Sequence, residues 1–325
     1  MKQSQFEASH QALWAAFETQ LGQAERHTGT MDGPERFGPA YRRLCNDLAL
    51  ARERQYSSHL IDRLQYLALR GHQQLYRRRT HPRAQLAYFL LTGFPRQVRA
   101  KARFVWVAAA TFLGTLVLVC SLVYLYPDLA YSILPPATLA GAEHMYDPAQ
   151  SHLGRALDRQ ASTDWAMFGF YVMNNIGIAF QTFASGMLLG LGSVFYLFYN
   201  GLQIGAVAGH VSQGEAALPF WSFVIGHGAF ELTAITLAGA AGLQLGWAVI
   251  APGPASRAQA LREAAQAALQ LVYGVVMFLL LAALLEAYWS SKGSIAPSVK
   301  FGVGSALWVA VLAYLSLAGR TSRAP

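Results

Sequence analysis

The chain contains segments that are too long and too apolar to stay in water, and they limit what it can fold into. FVWVAAATFLGTLVLVCSLVYLY (104–126) has 23 residues without a charge. About 20 apolar residues let one helix cross the hydrocarbon core of a bilayer. From Trp165 to Val211, 47 residues include no Asp, Glu, Lys or Arg. A single helix of that length would measure about 70 Å, which exceeds one crossing.

The remaining apolar segments complete a predicted membrane domain over 104–319. We expect an all-α, polytopic fold with about six transmembrane helices, in which a tight turn near FASG (183–186) divides the long charge-free segment. Five transmembrane helices plus one re-entrant helix are the alternative. The count of basic residues at each end favours six and a cytoplasmic C-terminus. The predicted spans lie near 104–126, 165–182, 186–211, 218–250, 268–289 and 301–319, with a polar outer loop at 127–164.

Residues 1–103 differ from the rest of the chain in charge and in pattern. They hold 17 Lys and Arg against 8 Asp and Glu, a net charge of +9, whereas residues 104–325 have a net charge of −1. Apolar residues recur every three or four positions, which predicts helices. The basic run RQVRAKAR (96–103) precedes the first span and places that end of it in the cytoplasm. We therefore predict a cytoplasmic basic helical domain, 1–103, with the N-terminus in the cytoplasm.

The most basic stretch, LYRRRTHPR (75–83), indicates the partners of this domain. It lacks the interleaved aromatic residues of a single-strand nucleic-acid binder, and no nucleic acid is expected. Anionic membrane lipids or an acidic protein are the expected partners. The two cysteines, Cys45 and Cys120, have no metal-type spacing and are interpreted as structural.

Polar residues inside the apolar segments are the candidate site. His227 and Glu231 lie one helical turn apart. An acid in the middle of a span costs about 2.5–3.5 kcal/mol on insertion, so we expect Glu231 to be buried at a helix contact and hydrogen-bonded. The pair has two interpretations, a structural contact or a proton- or ligand-linked site. The expected hydrogen-bond partners are His227, Asn174, Asn175 and Asn200. The three asparagines have a second interpretation, as hydrogen bonds between helices.

Small residues predict where helices approach closely. Gly201, Gly205 and Gly209 form two consecutive GxxxG steps, which let a neighbouring helix approach at backbone distance. We expect this ladder to lie near Glu231, and Gly228 to be a further packing glycine. Glu286 lies near the end of its span, and we expect it to reach the membrane interface.

No catalytic motif is recognised in the sequence. The zinc-protease signature H-E-x-x-H needs two histidines and an acid, whereas the chain has H-G-x-x-E at 227–231. No G-x-S-x-G nucleophile turn, Walker loop or dinucleotide fingerprint occurs. We therefore predict that the protein is not an enzyme and has no cofactor and no metal site.

Two blocks carry a resemblance to a known family. They are FGFYVMNNIGIAFQTFASGMLLGLGSVFYLFYNGLQIGAVAGH (168–210) and FVIGHGAFELTAITLAGAAGLQLG (223–246). Their NN…F…G…G…NG…G and HG-x-x-E-L-x-A-I patterns resemble the stage II sporulation protein M family of bacterial integral membrane proteins. The stretches YRRLCNDLALARERQ and LQYLALRGHQQLYRRR resemble the cytoplasmic helical portion of its Gram-negative members.

The resemblance implies a location and a set of partners. It implies the bacterial cytoplasmic (inner) membrane. The sporulation member works with peptidoglycan-degrading partners, and other members accompany MoxR-type ATPases and RDD membrane proteins. The function expected here is a non-enzymatic scaffold that links a cytoplasmic partner to other membrane proteins of the cell envelope, alone or as a homo-oligomer. The alternative is a transporter or permeation pathway in which His227 and Glu231 are a proton-linked polar site.

Overall fold

The computed structural model describes residues 2–26, 34–75, 82–149, 153–154 and 161–320, and its regular elements are helices. The predicted all-α fold with several membrane-spanning helices is thereby confirmed. The chain forms two compact units, residues 1–82 and residues 83–325.

The first unit contains three long helices. They are α1 (Gln3–Arg26), α2 (Pro34–Glu53) and α3 (Ser58–Leu75). Their apolar faces meet in one core, to which Phe6, Leu44 and Leu64 belong. In this core the indole Nε1 of Trp14 donates a hydrogen bond to Oδ2 of Asp47 at 2.9 Å. Both side chains are buried from water, so this bond gives each of the two polar groups a hydrogen-bond partner.

The second unit begins well before the first predicted span. It opens with α4 (Pro82–Tyr88), a π-helical turn (Phe89–Gly93) and α5 (Phe94–Ala100). The ring of Phe94 lies against Gly274 and meets the ring of Phe278 edge-on at 5.6 Å. The charge pattern predicted that residues 83–103 belong to the soluble domain. In the structure they belong to the second unit, where Phe94 and Val98 pack in the apolar core of the bundle.

The bundle itself is formed by long helices joined by short connections. They are α6 (Ala102–Leu125), α7 (Leu129–Ile133), α8 (Pro136–Met145), α9 (Ala161–Ala184), α10 (Leu191–Val211), α11 (Ala217–Ile250), α12 (Arg257–Leu285) and α13 (Pro297–Leu317). A π-helical turn, Glu286–Ser290, continues α12. Among the described residues, five helices are long and apolar enough to cross a membrane: α6, α10, α11, α12 with its π turn, and α13.

Two connections differ in detail from the sequence-based expectation. The predicted turn near 183–186 is a 3₁₀ turn, Ser185–Met187, followed by Gly190 with a φ of 82°. The predicted polar connection at 251–266 is mostly helical, since α12 begins at Arg257. Its start is capped by Ser256, whose Oγ accepts the backbone N–H of Gln259 at 3.2 Å.

The glycine ladder on α10 packs against α6. A Cβ added at Gly201, Gly205 or Gly209 would lie 2.6 Å from a carbonyl oxygen of α6 in each case. The three carbonyls belong, in the same order, to Phe112, Leu116 and Cys120. The ladder was expected near Glu231, but the helix that comes to backbone distance is α6. Each step of four on α10 matches a step of four on α6, so the two helices run parallel.

This parallel pairing determines how α9 runs. Since α6 and α10 point the same way, the chain between them has to return to the end where α6 begins. Near its start, Phe168 of α9 contacts Tyr288 at a ring distance of 6.4 Å. Near its end, the Thr182 carbonyl accepts a 2.6 Å hydrogen bond from Ser193 Oγ of α10. We infer that α9 is a sixth crossing helix, less apolar than the other five because it contains Asn174 and Asn175.

Helix α11 lies at the centre of the bundle. It contacts α6, α9, α10, α12 and α13. Its sequence is rich in Ala and Gly, and these small residues let the neighbouring helices come close. Gly239 lies against the side chain of Leu197, Gly242 against the carbonyl of Phe183, and Gly246 against the backbone of Gly190.

The ends of the bundle are named here by their residues. The lower end holds the start of α6, the turn at 185–190 and the loop at 251–256. The upper end holds the end of α6, with α7, α8 and the loops at 212–216 and 291–296.

At the lower end the Arg99 guanidinium donates to the carbonyls of Leu315 and Ala318, each at 2.7 Å, and so caps the end of α13. Burial lowers the pKa of Arg99 from its usual value, and the nearby Arg320 and Arg96 lower it further.

The first unit has its own core, so a fragment of residues 1–82 should fold alone. Asp47→Ala should lower its free energy of unfolding by about 1–3 kcal/mol, because the buried Trp14 N–H loses its acceptor. Asp47→Asn, which keeps an acceptor oxygen, should cost less. Urea unfolding followed by circular dichroism measures both. A fragment without a cooperative transition would contradict the division at residue 82.

The ladder contact predicts a second difference between variants. Gly205→Ala places a methyl group against the carbonyl of Leu116 and should destabilise the bundle by about 1–3 kcal/mol. Gly114→Ala on α6 is the matched control, since nothing lies within 4 Å of its added Cβ. Thermal unfolding in mild detergent should show a lower midpoint for Gly205→Ala alone. Equal midpoints for the two variants would refute the close approach of α6 and α10.

Candidate functional site

His227 and Glu231 lie together on α11, facing the π turn that follows α12. The Nε2 atom of His227 is 3.9 Å from Oε2 of Glu231, which is beyond hydrogen-bond distance. The other ring nitrogen, Nδ1, lies 3.3 Å from the hydroxyl oxygen of Ser290. His227 is 5% exposed, so its ring is held between the two helices. When Nδ1 donates to Ser290, the lone pair of Nε2 points toward Glu231.

A third ionisable side chain, Glu286, completes the group. Donor atoms of His227, Glu231 and Glu286 all lie within 4.8 Å of one another, and these three residues are called the upper cluster below. Glu286 is 8% exposed, whereas we expected it to reach the membrane interface. The expectation failed because this part of the chain packs on α11, where Glu286 lies beside His227 and Glu231. A second isolated acid in an apolar segment was the signal in the sequence that could have identified it.

Close packing of the π turn on α11 positions the upper cluster. A Cβ at Gly226 would lie 2.8 Å from the ring of Trp289, so only glycine allows this approach. Lys300 of α13 is also buried, and its Nζ donates to the backbone oxygen of Ser290 at 2.7 Å. The lysine thus holds the turn through its backbone. π-Helical turns occur often at functional sites.

A partly open cavity of about 320 Å³ reaches the upper cluster. Its walls are mainly apolar and come from α6, α10 and α11. An added Cβ at Gly228 would meet only side chains of its own helix, Val224 and Leu232. Gly228, expected to be a packing glycine, therefore leaves room in the cavity instead. Residues that line the cavity include Gln203, Val207, Phe220, His227, Glu231 and Glu286.

Aromatic rings cover the upper cluster from the side of the upper end. The ring of Phe223 stands edge-on to that of His227, with centroids 4.9 Å apart. Tyr146, which follows α8, contacts Phe223 at 5.5 Å and lines the same cavity. Burial raises the pKa of Tyr146 well above its usual range, and Glu286, Tyr171 and Glu231 raise it further. Its hydroxyl is therefore a neutral group that can donate a hydrogen bond into the cavity.

The asparagines do not join this cluster. Asn174 is exposed and donates from Nδ2 to Oδ1 of its neighbour Asn175 at 2.9 Å. Asn200 donates to the carbonyl of Tyr196, one turn earlier on its own helix, at 2.7 Å. The described hydrogen bonds of these three asparagines are local, and Glu231 is not among their partners, so the predicted hydrogen-bond set around Glu231 is wrong for these residues.

A second His–Glu pair lies at the upper end, apart from the cavity. Nε2 of His210, at the end of α10, is 3.0 Å from Oε1 of Glu143 on α8. His210 is buried, and the ring of Tyr131 stands edge-on to it at 5.8 Å. This pair connects α8 to the bundle.

Comparison with known protein families gives the fold a context. The family model described as Stage II sporulation protein M matches residues 103–291, which include the whole upper cluster. The chain belongs to the stage II sporulation protein M family. A second family model, described as a domain of unknown function (DUF8413), matches residues 4–77. Neither the curated proteins nor the solved structures give a significant match.

In this member of the stage II sporulation protein M family, the cavity predicts selective chemical labelling. In a background without Cys45 and Cys120, Gly228→Cys should react with a small water-soluble thiol reagent because position 228 borders the cavity. Ala229→Cys is the matched control, since Ala229 is 0% exposed and packs in the bundle core. Mass spectrometry of the protein in detergent measures the difference. Equal labelling at both positions would contradict a cavity that water can enter.

Proposed function

We propose that this chain is a non-enzymatic scaffold of the bacterial inner membrane, which links a cytoplasmic partner to the cell-envelope, peptidoglycan-remodelling machinery. Membership of the stage II sporulation protein M family supports an envelope role. By the resemblance described above, a MoxR-type ATPase or an RDD membrane protein is the expected kind of partner.

The charges at the two ends of the bundle support the orientation. The described lower end carries a set of basic residues together with the acid Glu263; the basic residues are Arg96, Arg99, Lys101, Arg103, Arg257, Arg262 and Arg320. The described upper end carries Lys292 and Lys300, together with the acids Asp128, Glu143, Asp147 and Glu215. Basic residues near spans favour the cytoplasmic side, so the lower end and the N-terminus are assigned to the cytoplasm.

The observation that carries the proposal is a polar stripe on the outside of α9. Asn174 and Gln181, two turns apart, are both exposed on a helix that crosses the bundle. Exposed amides are unfavourable against lipid tails, whereas a neighbouring helix can accept their hydrogen bonds. Gly177 lies between them, and nothing is within 4 Å of its added Cβ, so a helix could approach there. This face fits a membrane partner or a second copy of the chain.

The lower half of the bundle lacks a polar continuation of the upper cavity among the described residues. A further cavity of about 300 Å³ lies there between α5, α6, α11 and α13, and Leu232 borders both cavities. Its lining is mainly apolar, and Arg99 is the one ionisable side chain among the described residues that line it. No series of ionisable groups therefore follows this cavity from Glu231 to the lower end, which suits a binding site better than a proton pathway.

The polar stripe predicts which variants lose the partner. Asn174→Leu combined with Gln181→Leu should fold normally but lose membrane partners in affinity purification from cells in mild detergent. Met173→Leu is the control, since Met173 is 77% exposed on the same helix and apolar already. Removal of residues 1–82 should release the cytoplasmic partner while the membrane partners remain. If the double variant keeps every partner and its native oligomeric state, the scaffold contact does not lie on α9.

A proton-linked transporter is the second candidate, and the cavity that reaches Glu231 is what favours it. Purified protein in liposomes with an internal pH dye distinguishes the two. The scaffold proposal expects no proton flux above that of empty liposomes, with or without a membrane potential. Flux that Glu231→Gln abolishes would favour transport.

A further inference from the structure

We propose that the upper cluster is a binding site for one divalent transition-metal ion of the zinc class. The ligands would be Nε2 of His227 and one carboxylate oxygen each from Glu231 and Glu286. This inference goes beyond the scaffold proposal and does not depend on any partner protein.

The geometry is the first step. One potential ligand atom from each of the three side chains lies within 4.8 Å of the other two, and Nε2 of His227 is 3.9 Å from Oε2 of Glu231. Zinc binds nitrogen and carboxylate oxygen at about 2.0–2.2 Å, which separates tetrahedral ligands by roughly 3.3–3.5 Å. Binding would therefore draw the side chains of the upper cluster slightly closer together.

The orientation of His227 is the second step. Metal-binding histidines usually donate their other ring N–H to a neighbouring oxygen, which fixes the ring and the tautomer. Ser290 Oγ lies 3.3 Å from Nδ1 of His227 and occupies that position. With Nδ1 as the donor, Nε2 carries the lone pair and lies 3.9 Å from Oε2 of Glu231.

Charge balance is the third step. Two carboxylates as close together as those of Glu231 and Glu286 are not both ionised in a half-apolar cavity unless a cation lies beside them. A divalent ion would let both groups bind as carboxylates and would cancel their two charges at once.

The ligand types select the metal. Imidazole nitrogen favours zinc and its neighbours in the first transition row, whereas magnesium and calcium prefer oxygen ligands alone. Three protein ligands leave a fourth position, and here it faces the cavity of about 320 Å³. A small ligand or a side chain of a partner could complete the coordination there.

The test uses the full chain, purified through a tag without histidine and stripped with a chelator. After equilibration with Zn²⁺ and gel filtration, we expect roughly one bound Zn²⁺ per chain by mass spectrometry of the metal. Mg²⁺ and Ca²⁺ should not be retained. Co²⁺ should give the visible absorption of a site with nitrogen and oxygen ligands.

Single-residue variants distinguish Zn²⁺ binding at the upper cluster from Zn²⁺ binding at other histidines. The Glu286→Gln side chain has nearly the same size and shape as glutamate, and we expect this variant to stay monodisperse. It should weaken Zn²⁺ binding by more than about 100-fold, and Ser290→Ala should weaken it by about 10–100-fold. His210→Gln is the matched control, because His210 also faces a glutamate but lies outside the cluster. Should Glu286→Gln fail to fold, His227→Gln and the Co²⁺ spectrum of Ser290→Ala serve the same purpose. The proposal is overturned if the parent protein retains no Zn²⁺, or if His210→Gln weakens binding as much as the cluster variants.

Discussion

The contact between α6 and α10 at backbone distance is the interaction on which the arrangement of the bundle depends. Gly201, Gly205 and Gly209 each lie where a side chain would collide with a carbonyl of α6. In a membrane this kind of packing replaces the hydrophobic effect as the force between helices. Because it joins the two helices in parallel, the chain between them must cross back as α9. Helix α11 then occupies the space enclosed by its neighbours.

Packing on α11 differs between its two halves, and that difference creates the candidate site. In the lower half, Gly242 and Gly246 bring the end of α9 and the turn at 185–190 to backbone distance, while an apolar cavity of about 300 Å³ lies on the side of α6 and α13. In the upper half, Gly228 borders a cavity, and the π turn of α12 brings Glu286 toward His227. The three ionisable groups of the upper cluster lie beside the upper cavity, whereas the lower part of α11 presents small and apolar residues to its neighbours.

Much of the fold and part of the site could be predicted from residue patterns. Charge-free lengths predicted the crossing helices, and the spacing of His227 and Glu231 predicted that they share a helix face. The asparagines were harder, because an amide can bond to its own helix as readily as to another, as Asn200 does. Glu286 was missed because its position near the end of a span predicted exposure, whereas packing on α11 buries it. The boundary at residue 103 followed charge, whereas the fold divides at residue 82, where packing changes.

The sequence by itself determined the elements that local chemistry controls: helices from apolar length and period, and close packing from GxxxG spacing. The tertiary structure alone decided which surfaces meet. The glycine ladder is compatible with close packing against any neighbouring helix. The sequence likewise does not specify which polar groups lie beside the carboxylate of Glu231. Pairing depends on the fit of whole helix faces, summed over many weak contacts between residues far apart in the chain. No local pattern contains that sum, so the meeting of His227, Glu231 and Glu286 could be read only from the folded bundle.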